Sequence, residues 1–210
     1  MRKVDLKKKY EQFYSEKKGN ISILEVPSFN YLICDGEGNP NTSTDYKNAI
    51  EAIFSLSYKL KFNIKKGREI DYGVMPLEAL WWMDNMKEFT YENIDKWRWC
   101  AMIMQPNFIT KELVREAMEE LSQQKELLSL PKLELIEYTD GLSAQIMHLG
   151  PHADEAPTIE KLHAYIHEQG YELRGKHREI YLNDPQHTAP ENLKTIIRQP
   201  IAKPYGHAMA

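Results

Sequence analysis

The sequence contains few cysteines and no long hydrophobic run. Its two cysteines, Cys34 and Cys100, form no CxxC pair within 210 residues, so neither a disulfide framework nor a cysteine zinc site is predicted. Apolar stretches such as residues 79–83 are far shorter than the roughly 20 residues that cross a bilayer. No apolar signal-peptide segment follows Met1. We therefore expect a cytoplasmic protein with no membrane partner.

An excess of positive charge is also missing. The chain has 27 Lys and Arg against 31 Asp and Glu, a formal net charge of -4. It therefore has no general attraction for phosphate backbones, and we predict no nucleic-acid partner. Basic residues concentrate in residues 1–20, where aromatic side chains interleave with them. This segment is too short for a helix-turn-helix domain, and we interpret it as a basic arm or a short amphipathic helix.

The apolar pattern indicates an α+β protein with an internal repeat. A content of 42% hydrophobic and 28% charged residues is enough for one sizeable core or two small ones. Each half follows the order strand, helix, strand, strand. Such a unit leaves one sheet face bare, so we expect two pseudo-symmetric modules with antiparallel sheets around a central cleft. The predicted parts are a first module at about 21–108, a linking helix at 110–130, a second module at about 131–203 and a tail at 204–210.

Local signals place the elements inside these modules. Thr42, Ser43 and Thr44 offer N-caps for a helix that ends at 63–67, and Thr110 caps the linking helix. Alternating and β-branched patterns favour strands on both sides of these helices. The predicted strands are 21–27, 29–34, 72–83, 97–105, 133–149, 178–182 and 193–201, and a further helix is predicted at 157–169.

All four tryptophans lie in one pair of predicted strands. Because successive residues of a strand point to opposite faces, Trp81 and Trp82 must diverge, whereas Trp97 and Trp99 share a face. One face can pack under the helix while the other lines a site for a flat apolar or cationic ligand. The alternative is that all of these rings belong to the core. The expected ligand-binding residues of this group are Tyr72, Trp82, Trp97, Trp99 and Met102.

A carboxylate inside a predicted strand is the second candidate for chemistry. Alternation places Glu179 and Tyr181 on one face of the strand at 178–182. A carboxylate that faces an aromatic-walled cavity loses hydration, so we expect a raised pKa that suits Glu179 to general acid or base catalysis. The alternative is a solvent-facing glutamate on an amphipathic strand. Glu78, in the middle of another strand, is a weaker second carboxylate, assigned to ligand binding.

The histidines and glycines do not indicate a metal or cofactor. His163 and His167 are four residues apart on a predicted helix, but the glutamate of an HExxH motif and a third ligand are missing. Gly36 and Gly38 lack the third glycine of a dinucleotide-binding loop. We therefore predict no metal and no cofactor.

The segments at 35–41, 170–173, 178–185 and 193–201 resemble the GyrI-like small-molecule-binding family, in particular its stand-alone branch. The resemblance covers roughly residues 20–203. It implies two modules related by a pseudo-two-fold axis, with a glutamate in a central aromatic cleft. The glutamate carries over to Glu179, with Tyr181 as its neighbour and Tyr72, Trp82, Trp97 and Trp99 as aromatic walls. Because no helix-turn-helix domain is visible, we do not expect a transcriptional role.

Two functions follow from this resemblance. Members of the stand-alone branch are associated with hydrolysis of cyclopropane-bearing DNA-alkylating natural products, which implies an enzyme of xenobiotic detoxification and drug resistance. Other members bind cationic drugs or protect gyrase, which implies a non-catalytic binding protein. A haem-binding variant is a third possibility, but no histidine lies in an evident pocket strand. In each case the expected partner is a small aromatic molecule, and the oligomeric state stays open.

Overall fold

The structure is a computed structural model that describes residues 1–204, so the predicted tail lies almost entirely outside the described residues. Those residues form eleven strands and five α-helices, together with several short 3-10 turns. In chain order the elements are β1 (Arg2–Val4), α1 (Leu6–Lys9), α2 (Glu11–Tyr14), β2 (Ile21–Val26), β3 (Phe29–Glu37), α3 (Thr44–Arg68), β4 (Ile70–Tyr72), β5 (Leu77–Trp82), β6 (Arg98–Gln105), α4 (Lys111–Ser122), β7 (Glu134–Tyr138), β8 (Gly141–Leu149), α5 (Ala156–Glu168), β9 (Glu172–Leu173), β10 (His177–Tyr181) and β11 (Lys194–Ala202).

The chain forms two compact units whose boundaries differ from the predicted modules. The first unit contains residues 1–11 and 29–138, and the second contains residues 12–28 and the chain from Thr139 onward. Strand β2, which we expected in the first module, pairs with β8 from Ile21↔Ile146 to Val26↔Gly141. Pairing between strands so distant in sequence depends on tertiary register, which a local hydrophobic pattern does not encode.

The first unit has a four-stranded antiparallel sheet in the order β5-β6-β3-β7. Helix α3 packs on it through buried residues that include Ile53, Leu56 and Leu60. Two predicted N-caps are confirmed, since Ser43 Oγ accepts a hydrogen bond from the Tyr46 amide and Thr110 Oγ1 from the Leu113 amide. A separate two-stranded ribbon joins β1 to β4 in parallel, so residues of the predicted basic arm add a strand to this unit.

Two of the four tryptophans lie in the core beneath α3. Trp81 and Trp99 are cross-strand partners, and the Tyr46 ring of α3 lies 5.5 Å from Trp81 and 4.9 Å from Trp99. The Trp97 ring lies 5.9 Å from Trp81. Trp82 points to the opposite face by alternation and is partly exposed. Trp81 and Trp99 thus pack under the helix, whereas Trp97 packs against Phe89 at 4.3 Å and Tyr91 at 5.4 Å in the connection between β5 and β6.

The second unit repeats the arrangement of a helix on an antiparallel sheet. Its strand order is β2-β8-β11-β10, and β9 adds to the end of β11. Helix α5 covers one face, where the core consists of Ala144, Ile146, Leu162, Ile166, Ile197 and Ile201. The α+β fold with antiparallel sheets is thus confirmed, while the pseudo-symmetry of the two modules stays a prediction.

Within residues 1–204, no helix combines the length and apolar character that a membrane crossing requires.

The opposite face of this second sheet carries a buried ionic cluster. Asp140 Oδ2 lies 3.0 Å from Arg178 Nε and 3.3 Å from Arg198 Nη1. Arg198 also donates hydrogen bonds to Gln145 Oε1 at 2.9 and 3.1 Å and to the Phe13 carbonyl. These contacts attach the segment around Phe13 to the second unit, in agreement with the unit boundary at residue 12.

The close approach of Gly36 to Trp99 leads to a stability prediction. A Cβ at position 36 would lie 2.2 Å from Trp99 Cζ2, so we expect Gly36→Ala to lower the free energy of unfolding by about 1–3 kcal/mol through overpacking. Gly67 lies in α3 with open space around its Cβ position. Gly67→Ala should therefore raise the free energy by up to about 1 kcal/mol through helix propensity. Urea unfolding measures the free energy of unfolding of both variants. Equal changes in the two variants would contradict the close packing of Trp99 against Gly36.

Candidate active site in the second unit

Strand β10 places three polar side chains on the face that α5 covers. Glu179 pairs with Ile197 of β11, whose side chain belongs to the core beneath α5. By alternation, His177 and Tyr181 point the same way as Glu179, and Arg178 points to the opposite face. Strand alternation predicted that Glu179 and Tyr181 share a face, and the structure brings these two side chains into contact.

The Glu179 carboxylate is held at both of its oxygens. Its Oε1 lies 3.1 Å from Nε2 of His177, and its Oε2 accepts a 2.7 Å hydrogen bond from the Tyr181 hydroxyl. The residue is only 8% exposed. Because an ionised carboxylate can only accept hydrogen bonds, donors on both oxygens stabilise the charged form.

The expected rise in the pKa of Glu179 is wrong. Burial does act to raise it, but the hydrogen bond and charge of His177 and the hydrogen bond of Tyr181 outweigh burial and lower the pKa of Glu179. A carboxylate pKa depends on its donors as well as on its desolvation. Glu179 is therefore a carboxylate that stays ionised at neutral pH.

Glu155 is a second buried carboxyl group next to this one. It is fully buried and directly precedes α5, where its carbonyl accepts hydrogen bonds from the amides of Thr158 and Ile159. Its Oε1 lies 2.9 Å from His152 Nδ1, while its Oε2 is buried without a hydrogen-bond partner. Burial, followed by the negative charge of Glu179, raises the pKa of Glu155 to about 7.

His152 connects Glu155 with solvent. Its side chain is 45% exposed, and its ring makes an edge contact with Tyr181 at 5.1 Å. The hydrogen bond to Glu155 raises the pKa of His152 against the opposing effect of burial, and the charges of Glu155 and Glu179 raise it further. Proton exchange between the buried carboxyl group and water can therefore pass through the imidazole.

The same residues are the ones that could hold a metal ion. His152, Glu155 and Glu179 each offer one nitrogen or oxygen atom, and these atoms lie within 4.8 Å of one another. His163 and His167, the pair with metal-ligand spacing in the sequence, lie in α5 and are not part of this group. His163 has a buried Nε2 without a partner, and burial, with the charges of His177 and His167, lowers its pKa to about 4. His163 is thus a neutral side chain, and His167 is exposed.

The other predicted site residues belong to the first unit. Trp97 and Trp99 are buried in the aromatic core described above. Glu78 is fully buried and is the cross-strand partner of Met102, so both lie on the sheet face opposite α3 together with Trp82. Tyr72 is buried in β4, where its ring contacts Phe108 at 5.7 Å, and burial raises the pKa of its hydroxyl.

Three site residues were missed by sequence reasoning. His177 had a usable signal, because it lies two residues before Glu179 and therefore shares its strand face. Glu155 and His152 had no usable signal in the sequence. An acidic residue just before a helix, such as Glu155, is typical of an exposed N-terminal turn. Only the tertiary structure shows that Glu155 is buried next to another carboxylate.

Comparisons with known proteins agree with this fold. A family model described as the GyrI-like small molecule binding domain matches residues 19–202. An uncharacterized conserved protein from Listeria innocua is 31% identical, with a TM-score of 0.87, over 95% of this chain and 100% of that one. Two structures described as hydrolases from the same organism are each 30% identical. One has a TM-score of 0.82 and aligns with 95% of this chain. The other, encoded by lin2189, has a TM-score of 0.86 and aligns with 96% of this chain. Each alignment covers 100% of the Listeria chain. No curated protein matches the chain.

The burial of Glu155 predicts a specific pH dependence of stability. Its folded-state pKa of about 7 exceeds the ordinary value of 4.5, so between these values the folded state keeps a proton that the unfolded state has lost. The free energy of unfolding therefore falls by on the order of 3 kcal/mol as pH rises through this window. The raised pKa of His152 acts in the same direction.

We expect Glu155→Gln to flatten this decline, because glutamine keeps the shape of the protonated side chain and does not titrate. Urea unfolding between pH 5 and pH 8, values chosen to bracket the window, measures the effect. Glu160→Gln, on the exposed surface of α5, is the control that should keep the wild-type slope. A wild-type slope in Glu155→Gln would contradict the assignment.

Proposed function

The chain belongs to the GyrI-like small molecule binding domain family, which its residues 19–202 match, and on this premise we propose an enzymatic function. The protein binds flat aromatic or electrophilic xenobiotics and hydrolyses compounds that carry a strained cyclopropane ring conjugated to a carbonyl group. Glu179 is the general base of this reaction. Detoxification of DNA-alkylating compounds, and hence drug resistance, is the corresponding role in the cell.

The observation that carries the proposal is the oriented Glu179 carboxylate. It is buried, its two oxygens contact His177 and Tyr181, and its pKa is lowered, so it is ionised at neutral pH. A general base must be deprotonated and fixed in position when substrate binds. A solvent-facing glutamate on an amphipathic strand would also be deprotonated at neutral pH, but it would not be fixed in position.

The proposed reaction adds one water molecule across a carbon–carbon bond of the ring. The water oxygen bonds to the strained carbon while Glu179 accepts the water proton. The ring bond breaks, and its electron pair moves through the conjugated system to the carbonyl oxygen, which then takes up a proton. Tyr181, which we expected to donate to the substrate, donates to Glu179 in the structure, so its role in the proposal is to orient the base.

The relatives support an enzyme over a binding protein. Two structures described as hydrolases are 30% identical to this chain and align over 95% or more of its length. For ligand contacts, Trp82 is the strongest of the proposed aromatic residues, because it is the partly exposed tryptophan on the sheet face opposite α3. The alternative, non-catalytic binding of cationic drugs, would use the negative charge of Glu179 in place of its basicity.

Removing the base distinguishes the two functions. We expect wild-type protein to convert a cyclopropane-containing alkylator to its ring-opened water adduct, detected by mass spectrometry. Glu179→Gln should bind aromatic ligands nearly as tightly and lose about 10²- to 10⁴-fold in rate. Glu160→Gln, an exposed carboxylate in the same unit, should keep wild-type turnover. Saturable binding without any water adduct would contradict the enzymatic proposal and favour the sequestering one.

A further inference from the structure

Three side chains with metal-binding atoms meet at the start of α5. One nitrogen or oxygen atom of each of His152, Glu155 and Glu179 lies within 4.8 Å of the others. Both glutamates are buried, with exposed fractions of 0% for Glu155 and 8% for Glu179. Buried charges in proteins are usually paired with an opposite charge or bound to a metal ion. A divalent cation between these two carboxylates would offset the charge of both.

Two buried oxygen atoms in this unit have no hydrogen-bond partner among residues 1–204. One is Oε2 of Glu155, whose Oε1 lies 2.9 Å from Nδ1 of His152. The other is Oγ1 of Thr195, a residue that is 1% exposed and does not belong to the ligand cluster. Most buried polar atoms in proteins are hydrogen-bonded, so these two exceptions indicate a polar ligand.

Thr195 faces the cluster from β11. It is the cross-strand partner of Tyr181, and alternation from the core residue Ile197 places its side chain on the face that α5 covers. Directly opposite residues of an antiparallel pair have Cβ atoms about 4.5–5.5 Å apart. The unpaired Thr195 hydroxyl therefore lies next to the residue whose own hydroxyl donates to Glu179.

The two carboxylates are held in place by their surroundings. Glu179 accepts hydrogen bonds from His177 and Tyr181, one on each oxygen. A carboxylate oxygen has two acceptor positions, so these bonds still allow Glu179 to bind an ion. Hydrogen bonds from outer groups orient metal ligands in the same way. The backbone carbonyl of Glu155 accepts hydrogen bonds from amides in the first turn of α5, which fixes its position.

The half-exposed His152 side chain makes the cluster accessible to an ion. A tetrahedral ion with bonds of about 2.1 Å holds its ligand atoms about 3.4 Å apart. Since the three ligand atoms lie within 4.8 Å of one another, binding requires a closure of no more than about 1.4 Å. His152 can supply this movement, because its side chain is 45% exposed. An ion that arrives from solvent can contact this ligand without a cavity of substrate size.

We propose that His152, Glu155 and Glu179 bind one divalent transition-metal ion, with Zn²⁺ as the best match, and that a water on the ion bonds to Thr195. Imidazole nitrogen and carboxylate oxygen are both Zn²⁺ ligands, and three protein ligands leave the fourth position to water. An imidazole ligand disfavours Mg²⁺ and Ca²⁺, which prefer oxygen alone. The sequence predicted no metal, because its (i,i+4) histidine pair lacks a third ligand and these three residues are distant in the chain.

This metal site goes beyond the proposed hydrolysis and does not depend on it. A bound ion would engage Glu179, which could then no longer accept the proton of an attacking water. Zn²⁺ should therefore inhibit ring opening by wild-type protein, and removal of the ion with a chelator should restore the rate. An unchanged rate in zinc-saturated protein would overturn the placement of the ion at Glu179.

Calorimetric titration of the full chain with Zn²⁺ tests the site directly. We expect wild-type protein to bind one Zn²⁺ ion per chain with saturation, and Mg²⁺ should not compete. Glu155→Gln and His152→Ala each remove a ligand, so they should weaken binding by more than the 10- to 100-fold that loss of an outer group typically causes, that is, by about 100-fold or more. His152→Ala changes a half-exposed side chain, so it tests the site without disturbing the core.

Two variants serve as matched controls. His187 forms the same (i,i+3) contact with a carboxylate, Asp184, at 2.8 Å, but both side chains are exposed. His187→Ala should keep the wild-type affinity, because no second carboxylate completes a site there among the described residues. Glu160→Gln removes an exposed carboxylate from α5 and should also keep it.

The environment of the bound ion provides a second readout. X-ray absorption at the zinc edge should show one nitrogen ligand, oxygen ligands at about 2.0–2.2 Å and no sulfur. Thr195→Val should weaken Zn²⁺ binding by about 2- to 10-fold through loss of one hydrogen bond to the bound water. Thr195→Ser, which keeps the hydroxyl, should retain the wild-type affinity. Equal affinities in Thr195→Val and wild-type protein would overturn the assignment of Thr195.

Two results would overturn the metal site itself. The first is the absence of saturable Zn²⁺ binding to wild-type protein. The second is equal affinity in wild-type protein, Glu155→Gln and His152→Ala, which would indicate adventitious binding at surface histidines only. If the protein opens no cyclopropane ring, the proposed hydrolysis fails, and the calorimetric titration still decides whether the metal site exists.

Discussion

The site in the second unit depends on the buried contact of Asp140 with two arginines. Arg178 and Arg198 are cross-strand partners on β10 and β11, and one oxygen of Asp140 lies within 3.3 Å of both. Removal of one partner from such a buried network leaves an uncompensated charge, which costs several kcal/mol. A slip of β10 by one residue would move Arg178 to the other face and break this contact. The same register therefore fixes Glu179 on the face beneath α5.

On that face, two chemically identical side chains have opposite protonation preferences. Donors on both oxygens lower the pKa of Glu179, whereas burial and the charge of Glu179 raise the pKa of Glu155 to about 7. Neither preference belongs to glutamate as a residue type; each follows from the number of donors and the nearest charge. The half-exposed His152 connects the buried Glu155 carboxyl group with water.

The first unit shows how one aromatic cluster can serve packing more than binding. Tyr46 of α3 contacts both Trp81 and Trp99, and Gly36 leaves room for the Trp99 ring. Large rings placed under a helix stabilise the unit through buried apolar area. Trp82 alone among the tryptophans points to the other sheet face and stays partly exposed. Ligand contacts from this unit are therefore expected from that face rather than from the tryptophan cluster as a whole.

The sequence by itself determined the features that depend on near neighbours in the chain. N-caps at Ser43 and Thr110 follow from side-chain oxygens close to free amides, strand alternation placed Glu179 beside Tyr181, and the segments around 178–185 and 193–201 were sufficient to indicate the family. The tertiary structure alone decided the pairing of β2 with β8, the burial of Glu155 and the direction of the Glu179 pKa. These depend on groups brought together from distant parts of the chain, because burial and the electrostatic field at a side chain are sums over neighbours in space, which local patterns of residue type do not specify.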